Sequence, residues 1–352
     1  MREHEPTETA TTFTSTVSQF STPLSLRDSL KTYVVPASSG NLATLPNLSA
    51  ASPLTPVGAS QTTTVTRCLA GKRTLQCSTG FLLHSLLPTH SMIAPERYEL
   101  YAKIGGGTYG TVYSAYDWEK DRDVAIKRLD NRGTQDDRVL NEIKVSTVVS
   151  GVEGVATFHG FFRSSNLTCL VFDKIDGVDL FTLMEKRGFL PVDEKAARDI
   201  LSAVAHTLSG CHTRGIAHRD LKLENIMVDA NGCVFLVDFG LASIMRKVEG
   251  KERPTKDICG SIKYMAPEYL NRKRVMSTKM DSWALGVTAY ILLYGEFPYD
   301  EDDLYALSLG LTCVEIPRVT SDGTEISLDI RQKLADLLHV DPEERASVDI
   351  LM

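Results

Sequence analysis

From Tyr98 onward, three runs alternate apolar and polar positions: Tyr98–Ile104, Gly110–Tyr116 and Asp123–Leu129. A period of two marks strands with one buried face, so these segments predict three consecutive β-strands. The pattern then changes. Arg138–Val149 carries Leu140, Ile143 and Val148 at helical spacing, and Gly151 follows as a helix-ending residue. Leu167–Lys174 is almost continuously apolar, as a buried strand requires. Beyond it the helical period dominates: Glu194–Thr213 places Ile200, Leu201, Val204 and Leu208 on one face, and Trp283–Tyr294 is an apolar run. A β-rich part over about 98–173 followed by a larger helical part over about 177–352 predicts an α+β fold of two lobes. A cleft between lobes is where a nucleotide is expected to bind.

The first 95 residues lack any such period. Ser and Thr make up 24 of the first 66 residues and Pro recurs. A segment of that composition buries too little apolar surface to offset its ordering entropy, and a disordered extension is expected there. Over the whole chain, 43% apolar and 24% charged residues are ordinary for a globular protein. The formal charge of −7 gives no general attraction to nucleic acid or anionic lipid, and neither is expected as a partner. Seven scattered cysteines without zinc spacing suggest reduced thiols. No stretch is apolar enough to span a bilayer, and the acidic start Met-Arg-Glu-His-Glu is unlike a targeting signal. A soluble, intracellular setting, cytoplasmic or nuclear, is therefore expected.

Four motifs carry candidate chemistry. Ile104-Gly105-Gly-Gly107-Thr-Tyr-Gly110-Thr-Val112 would let a β-turn lie close over phosphates with its N–H groups free. A dinucleotide-binding loop shows a similar string but opens a helix, whereas this one continues into a strand-like run; a P-loop ending is also missing. Val124-Ala125-Ile-Lys127 is an apolar strand ending in a cation, and Glu142 at mid-helix is placed to hold that ammonium. His218-Arg219-Asp220-Leu-Lys222-Leu-Glu-Asn225 packs polar residues between an apolar helix and an apolar strand. Asp238-Phe-Gly240 follows Asp220 by 18 residues. Each motif alone recurs by chance. Their order and spacing together do not.

Taken together, these strings resemble the eukaryotic protein kinases from Tyr98 to Met352, and Ala266-Pro-Glu268, Asp281-Ser-Trp283 and Arg345 extend the likeness. The resemblance implies a bilobal kinase fold with ATP and Mg²⁺ as cosubstrate and cofactor. It makes Asp220 the group that orients or accepts the hydroxyl proton and Lys222 a stabiliser of phosphoryl charge. Asn225 and Asp238 would bind magnesium. Lys127 would hold the α- and β-phosphates, and Glu142 would hold Lys127. Adenine would lie between Val112 and Ala125 above and Met227 below, beside Phe172, with hinge hydrogen bonds at Asp173 and Ile175. Asp179 would meet the ribose or a basic substrate side chain. Glu268 would pair with Arg345.

Lys222, two residues after Asp220, and the segment Cys259–Glu268 with Ser261 resemble the serine/threonine version of the family. The closest likeness is to the calcium/calmodulin-dependent and AMP-activated group. Protein substrates with Ser or Thr acceptors follow, and Asp179 with Glu224 suggests a basophilic preference. The rival readings are a pseudokinase scaffold, opposed by the intact Lys127, Asp220 and Asp238, and a small-molecule kinase, opposed by Ala266-Pro-Glu268.

Departures from the family pattern are few. Ser146 stands where an aliphatic side chain should pack on Phe239 and His218, and Lys263 is unusual in the substrate-facing loop. The chain stops at Met352, within the expected last helix, so that helix is either clipped or short. Where relatives carry a phosphorylated Thr two residues before the Cys-Gly pair, this chain has Asp257. Its carboxylate is expected to substitute for phosphate against Arg219; the alternatives are a solvated Asp257 paired with Lys256 or Lys263, and Thr255 as a phosphosite displaced by two residues.

Overall fold

The computed structural model describes residues 95–107, 110–130, 136–164, 167–248, 251–255, 257, 259–270 and 275–352. Apart from Pro95, the extension expected over residues 1–95 lies outside the described residues.

The small lobe is a five-stranded antiparallel sheet of order β1-β2-β3-β5-β4. Its strands are β1 (Tyr98–Gly107), β2 (Gly110–Asp117), β3 (Arg122–Asp130), β4 (Phe158–Ser164) and β5 (Leu167–Asp173). β1 runs three residues past its expected end because the ladder continues through the glycines: Gly105 faces Val112, Gly106 faces Thr111 and Gly107 faces Gly110. At Gly110 a side chain is excluded, since a Cβ would lie 2.8 Å from both the Arg128 carbonyl oxygen and Leu129 Cδ2.

Helix α1 (Asp136–Val149) crosses this sheet. Its expected inner face needs correction. Leu140 and Val148 are exposed, whereas Val139, Glu142, Ile143, Val145, Ser146 and Val149 are buried. Apolar residues fall on two sides of this helix, and the neighbours decide which side is covered. Val139 and Ile143 pack with Leu129, Phe158 and Leu170 of the sheet, while Val145 and Val149 belong to the core of the large lobe.

The large lobe is built around α4 (Ser277–Tyr294), which is buried on nearly every side, as its unbroken apolar run requires. Against it lie α3 (Glu194–Thr213) and α6 (Leu328–Leu337), with α2 (Leu180–Lys186) and α5 (Glu301–Ser308) further out. A small sheet of order β6-β8-β9 joins Gly177–Asp179, Ile226–Asp229 and Val234–Leu236. Two short ribbons complete the lobe: β7 (Ile216–Ala217) with β10 (Ser243–Ile244), and β11 (Lys247–Val248) with β12 (Lys251–Glu252). A short 3₁₀ turn, Val348–Leu351, is the last element described. Among the described residues no helix is long and apolar enough to cross a membrane.

Candidate active site

Cross-strand partners share a face of a sheet, so register places the small-lobe residues. Val112 pairs with Lys127, Ala125 with Ser114 and Phe172 with Ala125, which sets Val112, Ala125, Lys127 and Phe172 on one face. Ile104 is exposed on β1, and Met227 lies half-buried on β8. At the end of β5, the Asp173 carboxylate accepts from His159 Nε2 at 2.6 Å and from Arg122 at 3.3 Å; Ile175 lies in the strand-free link that follows. Burial alone would raise the Asp173 carboxyl, but hydrogen bonds from Thr157 and His159 hold it below its ordinary range. Asp179 is already engaged. Its carboxylate caps α2, accepting from Thr182 N at 2.8 Å and Thr182 Oγ1 at 2.7 Å.

Lys127 is buried between two acids. Its Nζ lies 2.6 Å from Glu142 Oε1 and 2.7 Å from Asp238 Oδ1. Burial disfavours the ammonium, yet the two carboxylates outweigh it and hold Lys127 charged, above the usual lysine range. Asp238 is raised by burial but held low by Lys127 and by the Gly240 N–H. These contacts join β3, α1 and the segment after β9, which are remote in sequence.

The loop His218–Asn225 hangs from one buried acid. Asp281, on α4, accepts the His218 N–H at 2.8 Å and the Arg219 N–H at 2.7 Å, and pairs with His212 Nε2 at 2.7 Å. Both Arg219 and Asp238 adopt positive φ, 65° and 61°, a strained backbone that such anchoring sustains. The His218 ring meets the Phe239 ring edge-on at 4.8 Å. Ser146 is buried in α1. The anchoring role of Asp281 was not legible in the sequence, where it read as one residue of a structural string.

Burial works against the Asp281 carboxylate, but His212, His218 and the Arg219 N–H hold it below its ordinary value. A depressed carboxyl contributes stability that is present above its unfolded value near 3.8 and is lost as pH falls through the folded value. Asp281→Asn is therefore expected to flatten the acid limb of a stability–pH curve below about pH 4. An unchanged slope in denaturant melts would refute that.

Asp220 gathers the polar groups of the loop. Its Oδ1 accepts from Ser261 N at 2.9 Å and Ser261 Oγ at 3.0 Å, and its Oδ2 lies 3.1 Å from Lys222 Nζ. Lys222 also donates to Ser261 Oγ at 3.1 Å. Asn225 Nδ2 donates to the Asp220 carbonyl oxygen at 2.8 Å. Ser261 approaches so closely because Gly260 adopts φ 105° against the Arg219 carbonyl oxygen, which a Cβ would meet at 2.6 Å. Nearby, the Glu224 carboxyl is pushed up by desolvation, with Asp220 and Asp179 adding to the rise and Lys222 opposing it.

The expected pairing of Arg219 with the Asp257 carboxylate does not form. Arg219 Nη2 donates instead to the main-chain oxygen of Asp257 at 3.1 Å and to Cys259 Sγ at 2.6 Å. The backbone turn brings the carbonyl inward and leaves the Asp257 side chain exposed, without an ion-pair partner among the described residues. Thr255 is half-buried, and its Oγ1 accepts the Asp257 N–H. Lys263 lies over the Phe297 ring at 5.1 Å. Further along, Glu268 and Arg345 form a buried two-pronged pair, with both oxygen–nitrogen distances at 2.8 Å.

Comparison with known proteins agrees with this geometry. The protein kinase domain model matches residues 98–352. NUAK family SNF1-like kinase 2 of Rattus norvegicus is 36% identical over 211 residues, 59% of this chain and 32% of the relative. A probable serine/threonine-protein kinase KIN1 homolog of Enterocytozoon bieneusi is 32% identical over 215 residues, 60% of this chain and 35% of the relative. CBL-interacting protein kinase 5 of Oryza sativa subsp. japonica is 31% identical over 269 residues, 74% of this chain and 55% of the relative. The chain thus spans about a third to a half of the length of these curated relatives. With its match extending from the glycine-rich hairpin to the last described turn, this chain belongs to the protein kinase family.

Proposed function

We propose that this chain transfers the γ-phosphoryl group of ATP to Ser and Thr hydroxyls of protein substrates, as an intracellular signalling enzyme. The observation that carries the reading is the cluster of Asp220, Lys222 and Ser261, with Lys222 two residues from the acid and bonded to the same hydroxyl. The similar proteins, kinases of the SNF1-like, KIN1 and CBL-interacting types, support the serine/threonine class.

In this reading Lys127, held charged by Glu142, binds the α- and β-phosphates. The glycine hairpin offers its N–H groups to the phosphates, and adenine lies against Val112, Ala125 and Met227 with hinge bonds at Asp173 and Ile175. Asp220 takes the proton of the acceptor hydroxyl as its oxygen bonds to the γ-phosphorus. The bond from that phosphorus to the β–γ bridging oxygen breaks, and ADP leaves. Lys222 neutralises charge on the group in transit.

Mg²⁺ fits the donors at hand. Among the described residues no protein donor meets Asn225 Oδ1 or Asp238 Oδ2, while the Asn225 amide N–H is used on Asp220 and Asp238 Oδ1 on Lys127. Two hard oxygens, completed by phosphates and water, suit this ion. When bound, it supplies charge neutralisation at the phosphates.

Substrate choice follows from the acids beside the loop. Asp179 and Glu224 are expected to favour Arg two or three residues before the acceptor, since two carboxylates beside the loop can pair with a guanidinium. The test is incubation of the full chain with labelled ATP, Mg²⁺ and degenerate peptides bearing Ser, Thr or Tyr. Label on Ser and Thr, enriched behind Arg, is expected. Label confined to Tyr, or none, would sink the reading; indifference to upstream Arg would remove the basophilic part alone.

A further inference from the structure

Helix α4 begins without a cap of its own, because Met276 precedes it and provides no polar side chain. Its orphan N–H groups are met from 25 residues upstream. Glu252 Oε1 accepts from Ser277 N at 2.5 Å, and Oε2 accepts from Thr278 Oγ1 at 2.7 Å and from Thr278 N at 3.4 Å. A carboxylate is the favoured charge at that helix end, and here both of its oxygens are used. Three residues after Glu252, Thr255 and Val275 exchange both main-chain hydrogen bonds, at 2.9 and 3.0 Å.

One turn further along, the same helix presents Asp281, which fixes the His218 and Arg219 amides. The first turns of α4 therefore serve as a common frame. The catalytic loop is hung on it through Asp281, and the segment leading to Cys259 and Ser261 is hung on it through Glu252, with Thr255 tied to Val275 just before the helix. The two arms meet where Arg219 touches Cys259 and where Asp220 touches Ser261.

We propose that Glu252 is a positioning residue for the protein substrate, setting the place of Cys259–Ser261 against Asp220. The proposal rests on the phosphotransfer reading above. Glu252 touches neither nucleotide-facing residues nor Asp220, so its loss should leave the phosphate site alone and loosen only the side on which a peptide is laid.

The experiment compares the full chain with Glu252→Ala, Glu252→Gln, Thr278→Val and the Glu252→Ala/Thr278→Val double variant. Glu252→Ala should raise the peptide KM about three- to tenfold, with kcat and the KM for ATP within about twofold. Glu252→Gln, which keeps one acceptor, should lose less. The double variant should be less impaired than the two single effects combined, because both act through one contact. Amide hydrogen exchange over residues 255–261 should quicken in Glu252→Ala. An unchanged peptide KM overturns the proposal, as does a parallel fall of kcat, ATP affinity and melting temperature that Gln does not relieve. Should the unaltered chain label no Ser or Thr peptide, the activity reading fails by itself. Exchange then decides the tie alone, and an unchanged rate over 255–261 refutes it.

Discussion

Asp220→Asn is expected to lower kcat for peptide phosphorylation by about 10²- to 10⁴-fold, the range associated with losing a positioned proton acceptor. The substitution is nearly isosteric. An amide oxygen can still accept from Ser261, and Asn225 still donates to the main-chain oxygen of residue 220. The loop should keep its shape, because its anchor is Asp281 rather than Asp220. The amide cannot take the hydroxyl proton, and it no longer balances the Lys222 ammonium 3.1 Å away. The prediction is therefore a split result: turnover collapses, while ATP affinity and melting temperature stay close to those of the parent. Single-turnover phosphorylation with thermal melts measures both. Near-parental turnover would show that Asp220 is not the proton acceptor.

The largest effect on stability is expected from Glu268→Ala. Arg345 is almost wholly buried, and its N–H groups are met by the two Glu268 oxygens and by the carbonyl oxygens of His339, Lys279 and Val340. The guanidinium also lies over the Trp283 ring at 4.9 Å. Removing the acid strands a cation that cannot shed its proton. Breaking a buried pair in this way costs about 3–5 kcal/mol, which for a domain of this size lowers the melting temperature by on the order of 10 °C. Denaturant unfolding monitored on the intact chain would register the change. A loss below about 1 kcal/mol would mean that water reaches Arg345 and that the pair is not a structural tie.

Local pattern and motif chemistry carried much of this protein. The order of strands and helices was legible because period-two and helical spacing are strong over Tyr98–Leu129 and Glu194–Thr213. Meetings between distant segments were legible where a buried cation called for an acid, as for Lys127 with Glu142, or where family resemblance supplied them, as for Glu268 with Arg345. Elsewhere the pattern was silent or misleading. Helix α1 has apolar residues on two sides, so its buried face could be settled only by its neighbours. At Asp257 the composition suggested a charge pair, and the turn geometry delivered a carbonyl instead. Glu252 has no local signature at all. The one available hint was negative: a long apolar helix beginning after Met276 without a capping side chain of its own.

The division of α1 between two cores bears on how the site can change state. Its first half is fastened to the sheet through Val139 and Ile143, and its second half is seated in the large lobe through Val145 and Val149. Such a rod moves as a lever, because melting it would expose both sets of contacts. Glu142 rides on the sheet-bound arm and Ser146 lies at the fulcrum, where the side chain is a small hydroxyl. A small fulcrum offers little resistance to tilting, so a pivot of the intact helix carries Glu142, Lys127 and the small-lobe strands together, and the contact it loosens is that of Lys127 with Asp238.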